Sequence, residues 1–473
     1  MTAPTEFTAT EARRLLHSGA ASARELADFY LARIERLNPE LGAVIAVDVE
    51  GARAAAEASD ARRARGESLG ELDGVPILIK DNIEAVGLPG TAGSRVLLGS
   101  PPVNDAPLVT ALRDSGLVVI GSTNLSEWAN FRSTASTSGW SGVGGQTRNA
   151  FDTGRNTSGS SSGSGSAMAA GLAAMTIGTE TDGSIVSPAG VCGVVGFKPT
   201  RGSVPGAGIV PISSHQDTAG PMTRSVADAA SLYAVMSGQP KGSTQPSPAL
   251  SGRPIAVWRP EGLSEEVAAV FDAAVGKLAE AGCSLSETRG ATASPFANAE
   301  FDALVAEFSV ELPAYLVGRA GTHPRDWEEL LAFHRADDVE LSRFSDEIFQ
   351  LCRDVAAAGG TSTDTYRKAR EDANSSCAAA LQFVLADCDF AIAPTNTPAW
   401  PISYGESEEH GLLTSSLCAV TGAPSITLPA GLVNGLPVGV SILARHGQDQ
   451  QLLAFAADFE ALLPNQRYPY SSD

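Results

Sequence analysis

The chain is poor in charge. Asp, Glu, Lys and Arg make up only 18% of its 473 residues against 43% hydrophobic ones, which excludes a self-repelling disordered chain. Positive charge is scarcest: Lys and Arg total 33 against 54 Asp and Glu, for a net charge of -21. A field of that sign repels phosphate backbones and anionic headgroups, so neither nucleic acid nor a membrane surface is an expected partner. No stretch approaches the roughly 18 apolar residues that cross a bilayer, and the opening MTAPTEFTATEARRLLHSG lacks the apolar core of a secretory leader. A cytoplasmic location is expected. The six cysteines (Cys192, Cys283, Cys352, Cys377, Cys388 and Cys418) include no C-x-x-C pair, which argues against zinc knuckles and a disulfide framework and leaves core thiols. The six histidines (His17, His215, His323, His334, His410 and His446) show no H-E-x-x-H spacing, so no protein-built metal site is expected.

What is present alternates between two periodicities. Leu26, Tyr30, Ile34 and Leu37 recur at helical spacing, with Thr10 as a candidate cap of a preceding short helix and Asn38-Pro39 as a stop; Glu50 to Ala64 forms a second helix. Apolar runs at Gly74–Ile79 and Leu117–Ile120 read as buried strands on either side of a helix from Ala106 to Ser115. Further strands are expected at Pro254–Trp258, Phe390–Pro394, Ser425–Leu428 and Val438–Ala444, with helices at Ser264–Ala281 and over most of Ala297–Leu385. The pattern is that of an α/β sheet protein with an N-terminal helical segment (1–65), a main domain (66–473) and a helical insert at about 297–385. Thr157–Ser166 has the composition of a flexible linker, but it runs into the small-residue stretch Ala167–Met175, which reads as a buried helix.

Two features invite chemistry. Lys80 is one of only five lysines (with Lys198, Lys241, Lys277 and Lys368) and ends the run V-P-I-L-I-K. An ammonium at the end of a buried strand incurs a desolvation cost, and lowering its pKa turns it into a base; a lysine salt-bridged to Asp81 is the plainer alternative. The second feature is Ile177–Pro188, where Ser184 follows a glycine turn that can present a hydroxyl beside free backbone N–H groups; an ordinary strand-turn fits the same residues.

Taken together, G-V-P-I-L-I-K-D-N (74–82), G-S-S-S-G-S-G-S-A (159–167), G-T-E-T-D-G-S-I-V-S-P-A (178–189) and C-G-V-V-G-F-K-P-T (192–200) resemble the amidase signature family, and the resemblance runs from about residue 8 to 463. Residues 128–149 and H-Q-D-T-A-G-P-M (215–222) are similar to its bacterial peptide amidase branch. The resemblance implies a single domain with a mixed sheet between helical layers (α/β/α) and a Ser-cisSer-Lys triad. Ser184 matches the nucleophile, Ser160 the bridging serine in a cis peptide bond, and Lys80 the base. Thr181, Asp182, Gly183 and Ser184 would supply the oxyanion hole from their backbone N–H groups, with Asp182's carboxylate turned away. Ser161 and Thr179 would support the triad, and Ala129, Asn130, Phe131, Gln216 and Asp217 are candidates for the substrate pocket. The implied chemistry needs no cofactor, and the implied partner is a small amide or short peptide amide, taken by a monomer or homodimer.

The sequence departs from the usual family pattern at Ser158, Ser162, Glu180, Asp182 and Val186. Val186 stands where arginine is usual, so the guanidinium that would pair with a substrate carboxylate is missing, and neutral amides are expected over free glutamine. A C-terminal peptide amide is the first expectation, and an aryl amide, anilide or carbamate the second. Gly159–Gly163 formally fits G-x-S-x-G around Ser161, yet the polar, turn-like Asn149–Asn156 precedes it where a nucleophile elbow requires a strand. A non-catalytic relative is disfavoured because all three triad positions are filled, and neither a P-loop nor a Rossmann fingerprint occurs.

Overall fold

Aliphatic and β-branched segments build one large mixed sheet. In the computed structural model, which describes residues 3–238, 249–289, 297–406, 408 and 414–470, the strands in chain order are β1 (Val44–Val47), β2 (Pro76–Lys80), β3 (Val118–Thr123), β4 (Trp140–Ser141), β5 (Gly145–Gln146), β6 (Met175–Glu180), β7 (Val195–Lys198), β8 (Thr218–Thr223), β9 (Pro254–Trp258), β10 (Ser284–Thr288), β11 (Phe390–Pro394), β12 (Ser425–Val433) and β13 (Leu436–Leu443). β4 and β5 pair with each other; the remaining eleven form one sheet in the order β1-β3-β2-β6-β8-β7-β12-β13-β11-β9-β10. Lys241 and His410 lie outside the described residues.

β2 sits parallel between β3 and β6, and every residue of it is buried. That accounts for its unbroken apolar run, since a parallel strand covered on both faces has no polar side. Ile79 is in register with Ile177, so Lys80 and Glu180 leave the sheet at the same carboxyl edge, where α/β sheets place their ligands.

Four expectations are corrected. Thr8, not Thr10, caps the first helix, Ala9–Ser18; Thr10 instead gives its N–H and hydroxyl to Asp228. Pro39 does not stop the second helix, which runs Ala23–Leu41 and ends at Gly42 with φ 58. A proline in the last turn forfeits one backbone bond, and here Asn38 ties the exit down through both its amide atoms to Val44. The stretch Ala167–Met175 is not one helix: the helix is Ser162–Ala169, and Met175 already opens β6. Gly171 breaks it, turning at φ 66, and a Cβ there would lie 2.7 Å from the Phe7 ring. Finally, β1 within the N-terminal segment pairs antiparallel with β3, so that segment contributes a strand to the sheet.

The insert comprises helices Ala297–Gly318, Trp327–Ala336, Glu347–Ala357 and Asp364–Leu385. It has its own aromatic core, in which Trp327 packs edge to face with Phe308 and Phe349, those two rings meet at a tilt, and Trp128 packs edge to face with Phe349. Among the described residues no helix is long and apolar enough to cross a membrane.

Candidate active site

Three segments meet at the carboxyl edge of β2 and β6. β2 delivers Lys80, the turn before helix Ser162–Ala169 delivers Ser160 and Ser161, and the loop after β6 delivers Thr181 to Ser184. The Gly159–Ser160 peptide bond is cis. Lys80 is fully buried, and its Nζ contacts only oxygens: Ser160 Oγ at 2.8 Å, Thr179 Oγ1 at 2.9 Å, Ser161 Oγ at 3.0 Å and the Thr179 carbonyl at 3.2 Å. Among the described residues no carboxylate lies against it, so the salt bridge to Asp81 considered from sequence does not form; Asp81 instead accepts from the Thr91 N–H and hydroxyl. Burial without an anion pushes the Lys80 pKa down to about 7, opposed by the more distant charges of Asp217 and Glu180.

Ser161 and Thr179 hold each other as well as the lysine. Thr179 donates its N–H to Ser161 Oγ at 3.1 Å, and Ser161 returns its hydroxyl to the Thr179 carbonyl at 3.0 Å. Asn82, two residues past the lysine, donates to Thr179 Oγ1 at 3.0 Å. The Ser161 N–H donates to the Ser184 carbonyl at 3.1 Å, which ties the loop to the cis turn.

The loop turns at Gly183, φ 77, where a side chain would be strained and would crowd Ser415. Its exit is pinned by Glu180, whose Oε2 accepts the N–H groups of Ile185 and Val186 at 2.7 and 3.0 Å. Those two donors are therefore spent, whereas the N–H groups of Asp182, Gly183 and Ser184 donate to no acceptor among the described residues. The Asp182 carboxylate does face away, accepting the hydroxyls of Ser415 and Ser416 at 2.6 and 2.5 Å.

Beside this arrangement lies a cleft of about 250 Å³, lined by Asn82, Ala129, Thr179, Thr181, Asp217 and apolar Ile209 to Ile212, among others. Of the five candidate pocket residues, Ala129 and Asp217 line it. Asn130 donates to Ser138 Oγ, Phe131 packs tilted on Phe301 and edge to face on Phe308, and Gln216 is fully buried under the loop. Trp128, Ala129 and Asn130 all have positive φ, a backbone shape that non-glycine residues adopt at a cost and that clusters at functional sites. Among the described residues no cluster of His, Cys, Asp and Glu could hold a metal ion.

Comparison with known proteins fits this geometry. The Amidase family model matches residues 25–453. The chain belongs to the amidase family. This amidase is 34% identical to a glutamyl-tRNA(Gln) amidotransferase subunit of Symbiobacterium thermophilum over 95% of each chain. The solved native peptide amidase of Stenotrophomonas maltophilia is 37% identical to it with a TM-score of 0.89, covering 98% of both chains. The corresponding amidotransferase subunit of Thermotoga maritima is 26% identical with a TM-score of 0.73, over 98% and 97% of the chains. The amidase is thus a hydrolase of amide C–N bonds.

Several polar residues of the amidase site were not foreseen: Asn82 behind Thr179, Ser415 and Ser416 behind Asp182, and Glu300 and Arg370 behind Gln216. Only Asn82 carried a sequence signal, its place next to the K-D motif. The others come from segments more than 80 residues away in the chain, which no local pattern connects.

Proposed function

We propose that this amidase hydrolyses neutral carboxamides, foremost C-terminal peptide amides, through an acyl-enzyme on Ser184, and that Lys80 is the base. The observation that carries the reading is a buried lysine with a pKa near 7 whose Nζ stands 2.8 Å from Ser160 Oγ. A neutral amine has two N–H donors and one lone pair. Thr179 Oγ1 and Ser161 Oγ, at 2.9 and 3.0 Å, take the two donors, which leaves the lone pair to accept the Ser160 proton. Ser160 in turn takes the proton of Ser184, whose oxygen attacks the amide carbon. The oxyanion is received by the N–H groups of the Thr181–Ser184 loop, three of which have no other acceptor among the described residues. The proton then returns by the same path to the leaving nitrogen, and ammonia departs. A water molecule, deprotonated through the same relay, attacks the acyl-enzyme and releases the carboxylic acid and free Ser184.

A glutamine-directed reading is favoured by the 34% identical amidotransferase relative. Against it stands Val186, an apolar residue 2% exposed that, by the family resemblance, takes the place of an arginine able to pair with a substrate carboxylate. The peptide amide reading is further supported by the likeness to the peptide amidase of Stenotrophomonas maltophilia. The test is product release from a blocked dipeptide amide, free glutamine, a nitroanilide and an aryl carbamate, beside Ser184→Ala. Ammonia from the peptide amide, abolished in Ser184→Ala, is the expected result. Preference for the anilide or carbamate would move the substrate class, and turnover of free glutamine at a comparable rate would overturn the argument from Val186.

A further inference from the structure

Thr181 opens the loop whose N–H groups face the reaction, and both its polar handles are held from one side. Its hydroxyl donates to Asp217 Oδ1 at 2.6 Å, and its carbonyl accepts from Gln216 Nε2 at 3.2 Å. Asp217 is fixed in turn by the N–H groups of Ile212 and Ser213. Gln216 is anchored further out. Its second N–H donates to Glu300 Oε1 at 2.8 Å, and its Oε1 accepts from Arg370 Nη1 at 2.7 Å.

Both N–H groups and the oxygen of this amide are therefore engaged, each in one sense only. The oxygen must face the guanidinium and both N–H groups must face acceptors, so a flipped amide would set like against like. Arg370 is locked as well, giving two parallel bonds to Glu307 at 2.9 and 2.5 Å. Glu307 also accepts from Ser213 and Tyr366. Gln216, Glu307, Arg370 and Glu300 are all at least nine-tenths buried, so water does not compete for these bonds. Glu300 and Glu307 belong to helix Ala297–Gly318 and Arg370 to helix Asp364–Leu385.

We propose that Gln216 is a positioning residue through which the helical insert, by way of Glu300 and Arg370, sets the geometry of the oxyanion-binding loop. The inference rests on the Ser184 reading given above. The insert thus holds the peptide plane between Thr181 and Asp182, and with it the direction of the N–H groups that follow. Preorganised donors of this kind act chiefly on the transition state and little on the bound substrate.

The test compares two competitive inhibitors on Gln216→Ala and Arg370→Gln. A peptide aldehyde adds to Ser184 Oγ and places an oxygen where the oxyanion forms; the corresponding peptide alcohol does not add. The expected result is a loss of about tenfold to a hundredfold in kcat/KM, below that for deleting an oxyanion donor outright. Aldehyde affinity should weaken by the same factor, alcohol affinity should change less than about twofold, and the double variant should lose less than the product of the single losses. Equal weakening of both inhibitors, or unchanged kcat/KM in a folded variant, overturns the proposal. Should Gln216→Ala fail to fold, Gln216→Met keeps the volume without the hydrogen bonds and is read the same way. Activity surviving in Ser184→Ala would defeat the triad reading instead, so the two failures are distinguishable.

Discussion

Lys80 Nζ and Ser160 Oγ lie 2.8 Å apart in a fully buried setting where every other partner of the lysine is also an uncharged oxygen. The same burial that would make this lysine a liability in a stable core makes it a base near neutral pH. Charging it costs desolvation that no adjacent anion offsets.

The pH dependence follows from the sign of that shift. The neutral amine is the active form, so kcat/KM should rise about tenfold per pH unit below the midpoint and level off above it, with the midpoint near the Lys80 pKa of about 7. Initial rates from about pH 5 to about pH 9.5 on a peptide amide check this, the range bracketing the shifted value. A midpoint near the ordinary lysine value of about 10.4 would show that burial does not control the group.

Lys80→Arg should be as damaging as Lys80→Met, because guanidinium cannot give up its proton in this range. Both should lose on the order of 10³-fold or more in kcat/KM, the scale of removing a general base together with its relay. Activity recovered in Lys80→Arg would show that a fixed positive charge suffices.

Gly178 packs against the triad's support. A Cβ there would come within 2.7 Å of Ser161 Oγ and 2.9 Å of Met222 Sδ, and both neighbours are buried. Gly178→Ala should push Ser161 off Lys80 and Thr179, lowering kcat by about 10-fold or more, as sub-ångström displacement of reacting groups does, with the chain still folded. Wild-type kcat in this variant would show that Ser161 has no part in orienting the lysine.

Much of this fold was visible in the chain. The buried strands β2, β3, β9 and β11 stood out because parallel or central strands need apolar residues on both faces, and Lys80 stood out because it ends one of them. β8 did not, since Thr218–Thr223 contains Gly220 and Pro221 and breaks the composition of a central strand. β10 did not because it is an edge strand with largely exposed residues. Helix Ser162–Ala169 is buried on every side and, Met168 apart, built from serine, glycine and alanine, so it carries no periodicity and shares most of its composition with a linker. The Gln216–Arg370 bond joins residues 154 positions apart; nothing local in the sequence marks such a pair.

The loop with positive φ at Trp128 to Asn130 is braced by a buried ion cluster. Arg132 Nη1 lies 2.9 Å from Glu127 and 3.1 Å from Glu340, with all three side chains inaccessible to water. Arg132→Met should destabilise the protein by about 3–5 kcal/mol in denaturant titration, because it strands two buried carboxylates without a cation. Burial and the Glu340 charge already hold the Glu127 carboxyl well above its usual range, so part of the loss should be relieved as pH falls and Glu127 takes up a proton. A loss under about 1 kcal/mol would place the cluster among solvent-screened pairs.

Ser184 should carry the acyl group during turnover. Intact-mass spectrometry on protein quenched with acid during turnover of a slowly hydrolysed peptide ester or amide, followed by peptide mapping, reads it directly. The predicted result is one acyl increment per chain, located on Ser184 and lost in Ser184→Ala. An adduct on Ser160 or Ser161, or continued turnover by Ser184→Ala, would show that Ser184 is not the nucleophile.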